Sequence, residues 1–218
     1  MKEDAIPVDG RPARRGGARD EPVLAAATAA DWSAWLREHH ARTPGVLLRL
    51  SKRRGAGAGA LTYAEALDVA LSWGWIDSQK RALDEGAWLQ RFSRRSPRSP
   101  WSKINRAKAE ALIARGEMRP PGLAEVERAK RDGRWARAYD GARTSTVPAD
   151  LAAALARNAR ARTFFDQLDA ANRYAILYRV QTAKKPETRA ERIARFVAMC
   201  ARHELIHPAR GASVTRRR

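Results

Sequence analysis

The chain has 218 residues, 44% of them apolar, which is enough for one substantial domain or two small ones around a packed core. Its 43 basic and 24 acidic groups give a net charge of +19, which excludes an acidic surface and points to nucleic acid, acidic headgroups or anionic metabolites. One cysteine, Cys200, excludes a disulfide within the chain, and no stretch approaches the roughly 18 apolar residues of a membrane span.

Residues 1–22 carry five basic and five acidic groups, and the last ten residues add four arginines. The excess of basic charge therefore lies mostly on residues 23–208. An Arg-rich composition in which arginine is simply the generic surface cation is the other reading of that charge. Arg14-Arg15 ahead of "VLAAATAA" has the outline of a twin-arginine export signal, but Asp20, Glu21 and Pro22 interrupt it and the apolar run is short and alanine-rich. Residues 1–22 read as a disordered leader, and the expected location is cytoplasmic.

Thr28 with Asp31 three residues later marks a helix start, and Trp32, Trp35 and Leu36 give that helix one buried face before Thr43-Pro44-Gly45 ends it. "GVLLRLSKR" reads as a strand and "RRGAGAGA" as a connection lacking the Lys-Ser/Thr ending of a phosphate loop. Thr62 and Glu65 form a second capping box, with Gly74 closing that helix. Residues 75–93 read as a β-hairpin turning at Asp84-Glu85-Gly86, where glycine supplies a positive φ.

Pro97 and Pro100 break regular structure ahead of Ser102, which caps a helix to about Arg115 with Ile104, Ala107, Ala111 and Leu112 facing inward. A helix after Pro120-Pro121-Gly122 buries Leu123 and Val126 and stops at Gly133, with Trp135 and Tyr139 folding back on it. "DGARTSTVP" is a boundary between subdomains. Four helical segments follow: 149–158, one around Phe164-Phe165, one from Asp169, and one from Pro186 with Ile193, Phe196, Val197 and Cys200 as its stripe. The expected fold is α+β, a small antiparallel sheet packed with helices over 23–140, then an all-helical subdomain over 148–208 and a basic tail over 209–218.

Three phrases carry a family resemblance: "GWIDSQKR" (Gly74–Arg81), "PRSPWSKIN" (Pro97–Asn105) and "AKKPETR" (Ala183–Arg189). With them, most of 28–208 resembles the YdeI/OmpD-associated, or bacteriocin-protection, proteins. The resemblance implies an accessory role in stress or antimicrobial-peptide resistance and implies no assigned reaction. It also suggests a periplasmic setting, from which this chain departs in having no convincing export signal.

The run "QRFSRRSPRSPWSKINRA" (Gln90–Ala107) holds six basic residues and no acid. The helix start at Ser102 offers unpaired amides at a positive dipole end, and Arg94, Arg95, Arg98 and Lys103 surround it. Lys80, Arg81 and Arg91 adjoin from the hairpin, and Asn105 adds a neutral donor and acceptor. Trp101, between Pro100 and a cap, is the tryptophan best placed for partial exposure and stacking, with the core as its other reading. These residues together with Ser102 form either an anion-binding surface or a solvated or internally salt-bridged face.

Other motifs carry less. His203-Glu204-Leu205-Ile206-His207 matches H-E-x-x-H, but Pro208 disfavours a helical His207 and no third ligand follows, so zinc is not expected. His39-His40 reads as helix-end capping. Lys184, Lys185, Arg189, Arg192 and Arg195 read as surface charge paired with Glu187 and Glu191. No catalytic residues, metal or cofactor are assigned. The leading expectation is a non-enzymatic accessory protein that binds nucleic acid, another polyanion or a small phosphorylated ligand through residues 80–106. The alternatives are an enzyme using Asp77 or Glu65 beside a basic cleft, and a protein-protein interaction module.

Overall fold

The computed structural model describes residues 21–52 and 60–208. The leader to residue 20, most of the "RRGAGAGA" connection and the basic tail lie outside the described residues. The chain divides into two compact units, Met1–Ala138 and Tyr139–Arg218.

The N-terminal unit is a four-stranded sheet with helices on one face. In order it comprises β1 (Val23–Leu24), α1 (Ala29–His39), β2 (Gly45–Ser51), α2 (Tyr63–Ser72), β3 (Trp75–Ala82), β4 (Ala87–Arg94), α3 (Lys103–Ala114) and α4 (Pro120–Arg131). Both expected capping boxes form: Thr28 with Asp31 opens α1, and Thr62 with Glu65 opens α2. Each such cap contributes about 1 kcal/mol. Gly74 takes φ 74° and lets the chain reverse from α2 into β3, a backbone conformation that disfavours a β-carbon.

The sheet order is β1-β2-β4-β3. The three long strands pair antiparallel as expected, while Val23 and Leu24 join β2 in parallel, so the sheet is mixed. A parallel partner this short leaves no hydrophobic period to read in the sequence. Val46, Leu48 and Leu50 of β2 stand beside Phe92 and Trp88 of β4 on the helix-covered face. Trp32 and Leu36 of α1, Leu67 and Leu71 of α2 and Leu112 of α3 complete that core. Each large apolar side chain so buried contributes about 1.5–3 kcal/mol. The indoles of Trp32 and Trp75 donate to the carbonyls of Ala66 and His40, at 3.1 and 3.2 Å, so burial leaves neither N–H unpaired.

Two details depart from the expected hairpin. Gly86 does not take a positive φ; the turn is closed by the Asp84 carboxylate, which accepts from the amides of Gly86 at 2.8 Å and Ala87 at 2.6 Å. A bulge between Asp77 and Lys80 also breaks the register with β4. The buried Gln90 side chain donates to the carbonyls of Ser78 and Gln79 there, both at 3.3 Å, and so holds the extra residue in place.

The phase of α3 differs too. Ile104 is 50% exposed and Ala107 and Ala111 face solvent, whereas Ala109 and Leu112 are buried. On α4, Gly122, Val126 and Ala129 are buried and Leu123 is exposed. Alanine-rich helices mark their inner face weakly, because small side chains add little apolar area to any one face.

The C-terminal unit is all-helical: α5 (Ala149–Ala156), α6 (Ala159–Asp166), α7 (Ala170–Gln181) and α8 (Pro186–Ala201). Leu151, Leu155, Phe165, Ile176, Leu177, Val180, Ile193, Phe196 and Cys200 form its core, with Val197 packed at the margin. Asn158 and Asp169 cap α6 and α7. Tyr139 packs edge-on against Tyr178 instead of α4, and Gln181 exchanges hydrogen bonds with Asp140. Among the described residues no helix is long and apolar enough to cross a membrane.

Candidate anion-binding surface

The hairpin distributes its cations over both sheet faces. Residues paired directly across an antiparallel ladder share a face. Lys80 pairs with Gln90, and Arg94 follows Phe92 by two, so both lie on the helix-covered side. Arg81 pairs with Leu89, and Arg91 with Leu47, on the opposite side. The bulge decides this, since it shifts Lys80 and Arg81 by one position relative to a regular strand. Lys80 settles over the Trp88 ring, its ammonium 4.5 Å from the centroid.

Arg91 already has an anion. Its Nε donates to both Glu21 oxygens, at 2.7 and 3.0 Å, its Nη2 forms an ion pair with the same carboxylate, and its Nη1 donates to Ser78 Oγ at 3.3 Å. Gly45 makes room for this pair: a β-carbon there would sit 2.7 Å from both Arg91 Nη2 and Glu21 Oε1.

Arg95 and Trp101 turn inward. Arg95 is 3% exposed, its guanidinium lies 3.6 Å over the Trp101 ring, and its Nη1 donates to the Pro100 carbonyl at 3.2 Å. Trp101, at 2% exposure, belongs to the core and meets Trp135 edge-on at 4.8 Å. From the far end of α4, buried Arg134 reaches the same loop, donating from Nη1 to the Ser99 carbonyl at 2.8 Å while Asp132 pairs with its Nε. That pairing holds the Asp132 carboxyl below its ordinary value. Glu125, beside Arg128, Arg95 and Arg134, is pushed up by burial against the pull of those charges. No sequence signal marked Arg134, because an arginine in an arginine-rich segment looks like surface.

Residues 95–101 are thus a loop buttressed from inside. Its tip is a tight turn, with Ser99 N donating to the Ser96 carbonyl and Ser96 N to Ser99 Oγ, both at 3.0 Å. Arg98 is exposed in this turn, Arg94 is exposed just before it, and Lys103 is exposed as the first residue of α3. Arg94 Nη1 also donates to the Ala41 carbonyl at 3.1 Å. Ser102 caps α3 by accepting from the amide of half-buried Asn105 at 3.1 Å, and the first turn of α3 holds no acidic residue.

The carboxylates considered for catalysis are engaged elsewhere. Glu65 accepts from Thr62 N and Thr62 Oγ1, at 2.8 and 2.7 Å, and these bonds hold it below its ordinary value. Asp77 accepts from the Tyr63 hydroxyl at 2.7 Å. Burial first, then Asp77, pushes that phenol far above its ordinary value. His39 and His40 bond back to the carbonyls of Trp35 and Leu36. α8 ends before the H-E-x-x-H run: His203 has φ 58° and stacks on Phe164 at 4.8 Å, while His207 N donates to Asn172 Oδ1 at 2.8 Å. The two histidines therefore do not share a helical face, as zinc ligation by that motif requires.

Residues 144–203 match the family described as bacteriocin-protection, YdeI or OmpD-associated. The family resemblance holds over that span. The "AKKPETR" run, Ala183–Arg189, lies within it. Residues 24–125, which include the "GWIDSQKR" and "PRSPWSKIN" runs, match a separate model described as a domain of unknown function (DUF8412). No curated protein and no solved structure matches the chain.

Proposed function

We propose that the protein is a cytoplasmic, non-enzymatic accessory protein of the YdeI/OmpD-associated type, binding a polyanion through the loop between β4 and α3. Arg94, Arg98 and Lys103 are the contacting residues, and a stress-resistance role follows from the binding. One observation carries the reading: three exposed cations sit within ten residues on a loop that buried Arg95 and Arg134 brace from behind, while Glu125 and Asp132 have their own arginine partners. A braced loop presents its charges without first ordering its backbone, which lowers the entropic cost of binding.

The test is titration with labelled single- and double-stranded oligonucleotides at several salt concentrations, with the triple variant Arg94→Ala, Arg98→Ala, Lys103→Ala in parallel. Counterion release from about three phosphates predicts a log–log salt slope of about −2 to −3, falling towards zero in the variant. Binding that the variant leaves unchanged refutes this surface as the site.

A further inference from the structure

The C-terminal unit gathers a second group of arginines, of which Arg192 and Arg195 read in the sequence as ordinary surface charge. Arg179 lies in the last turn of α7, half-buried, with its Nη1 donating to the Ala175 carbonyl at 2.9 Å. Arg192 of α8 crosses to α7 and donates from Nη1 to the Arg179 carbonyl. Arg195, one turn further along α8, lays its guanidinium over the Phe196 ring at 5.6 Å. Arg192 and Arg195 stand one turn apart on α8, with Arg192 bonded to the end of α7, and burial, then the charges of Arg195 and Arg192, pull the Arg179 guanidinium below its ordinary value.

The surroundings supply counter-charges to other arginines but not to these. Arg189, one turn before Arg192, is held by Asp150 through Nε at 2.6 Å and Nη2 at 2.9 Å. Asp166 stands beside Arg162 and Arg173, and Glu204 pairs with Arg202. Among the described residues, Arg179, Arg192 and Arg195 have no carboxylate within ion-pair distance. Backbone carbonyls occupy one nitrogen each of Arg179 and Arg192, fixing those planes while further N–H groups remain.

Arg179 and Arg192 are partly desolvated and fixed in place, Arg195 is exposed beside them, and guanidiniums gathered in this way gain most from a multivalent anion that several can share. We propose that Arg179, Arg192 and Arg195 form a binding site for a phosphoryl-bearing anion at the α7–α8 corner, separate from the loop surface of the N-terminal unit. The chemistry recognised is a phosphate or diphosphate group, free in solution or on a lipid headgroup.

The experiment uses the full chain carrying Arg94→Ala, Arg98→Ala and Lys103→Ala, so that failure of the loop reading cannot affect the result. It is titrated calorimetrically with inorganic pyrophosphate and, separately, with vesicles containing phosphatidic acid. Arg195→Gln is the deciding variant, because that guanidinium rests on a ring and holds no backbone carbonyl. Loss of a charge-assisted contact should weaken binding about tenfold or more in Arg195→Gln and in Arg179→Gln. Arg162→Gln, at an exposed pair on α6, should leave it unchanged. Weakening confined to the two corner variants supports the site, and the probe that shows it identifies the source of the phosphate. No binding of either probe, or equal binding in Arg195→Gln and its parent, overturns the proposal.

Discussion

The loop between β4 and α3 and the corner between α7 and α8 both gather arginines beside a helix end, yet they use them differently. In the loop, Arg95 is drawn into the core and covers Trp101, and Arg134 comes from α4 to hold the Ser99 carbonyl. At the corner, Arg189 and Arg192 reach across to the carbonyls of Val180 and Arg179 at the end of α7. Both carbonyls belong to the last turn of α7, where i to i+4 partners run out, and a guanidinium there also meets the negative end of the helix dipole. The difference teaches that a run of arginines overstates its capacity for ligand. Backbone carbonyls compete for the same N–H groups, and only the cations left exposed after that competition can face a partner.

The largest effect that would break the comparison is expected at Trp101. Trp101→Ala removes a core side chain and uncovers the Arg95 guanidinium, for a loss of about 3–5 kcal/mol in denaturant unfolding. A loss below about 1 kcal/mol would mean that the loop is not anchored in the core.

Asp150 sharpens the comparison at the corner. Hydrogen bonds from Arg189 hold its carboxyl below the ordinary value. A depressed acid contributes stability that is fully present above its unfolded value, about 3.9, and is lost as pH falls through the lower folded value. The pair is half-exposed, so the contribution should be below about 1 kcal/mol. Wild type should therefore lose a little more stability than Asp150→Asn between about pH 4 and pH 2. Parallel curves for the two proteins would show that the ion pair adds nothing.

The smallest effect is expected at Arg98. Arg98→Ala should change stability by less than about 0.5 kcal/mol while weakening oligonucleotide binding. A thermal melt beside the binding titration separates the two, and a destabilised Arg98→Ala would move that residue to the structural side of the comparison.

Local signals were legible wherever a polar side chain meets its own helix. Thr28, Thr62, Ser102 and Asp169 were all readable as caps, because capping requires only residues within one turn. Gly74, which closes α2, was equally plain. Illegible features depended on distant partners. Burial of Arg95 requires a tryptophan ring six residues on and carbonyls of its own loop, and charge alone argues the opposite. Arg91 appeared available because its partner, Glu21, lies in a segment that read as disordered. The bulge in β3 required a buried glutamine on the neighbouring strand, and it sets which face Lys80 and Arg81 take. Of the candidate surface, the exposed cations were therefore legible as a set, and their division between faces was not.

That bulge has a consequence for how the molecule meets copies of itself. Among the described residues, β3 is an outer strand of the sheet. A straight, apolar outer strand is a template for pairing with another chain. Here the extra residue interrupts the ladder midway, and Lys80 and Arg81 follow at once, so an approaching copy would meet a mismatched backbone and like charge. The cations at this hairpin, which resemble ligand contacts in the sequence, stand on an outer strand where like charge disfavours pairing with a second copy.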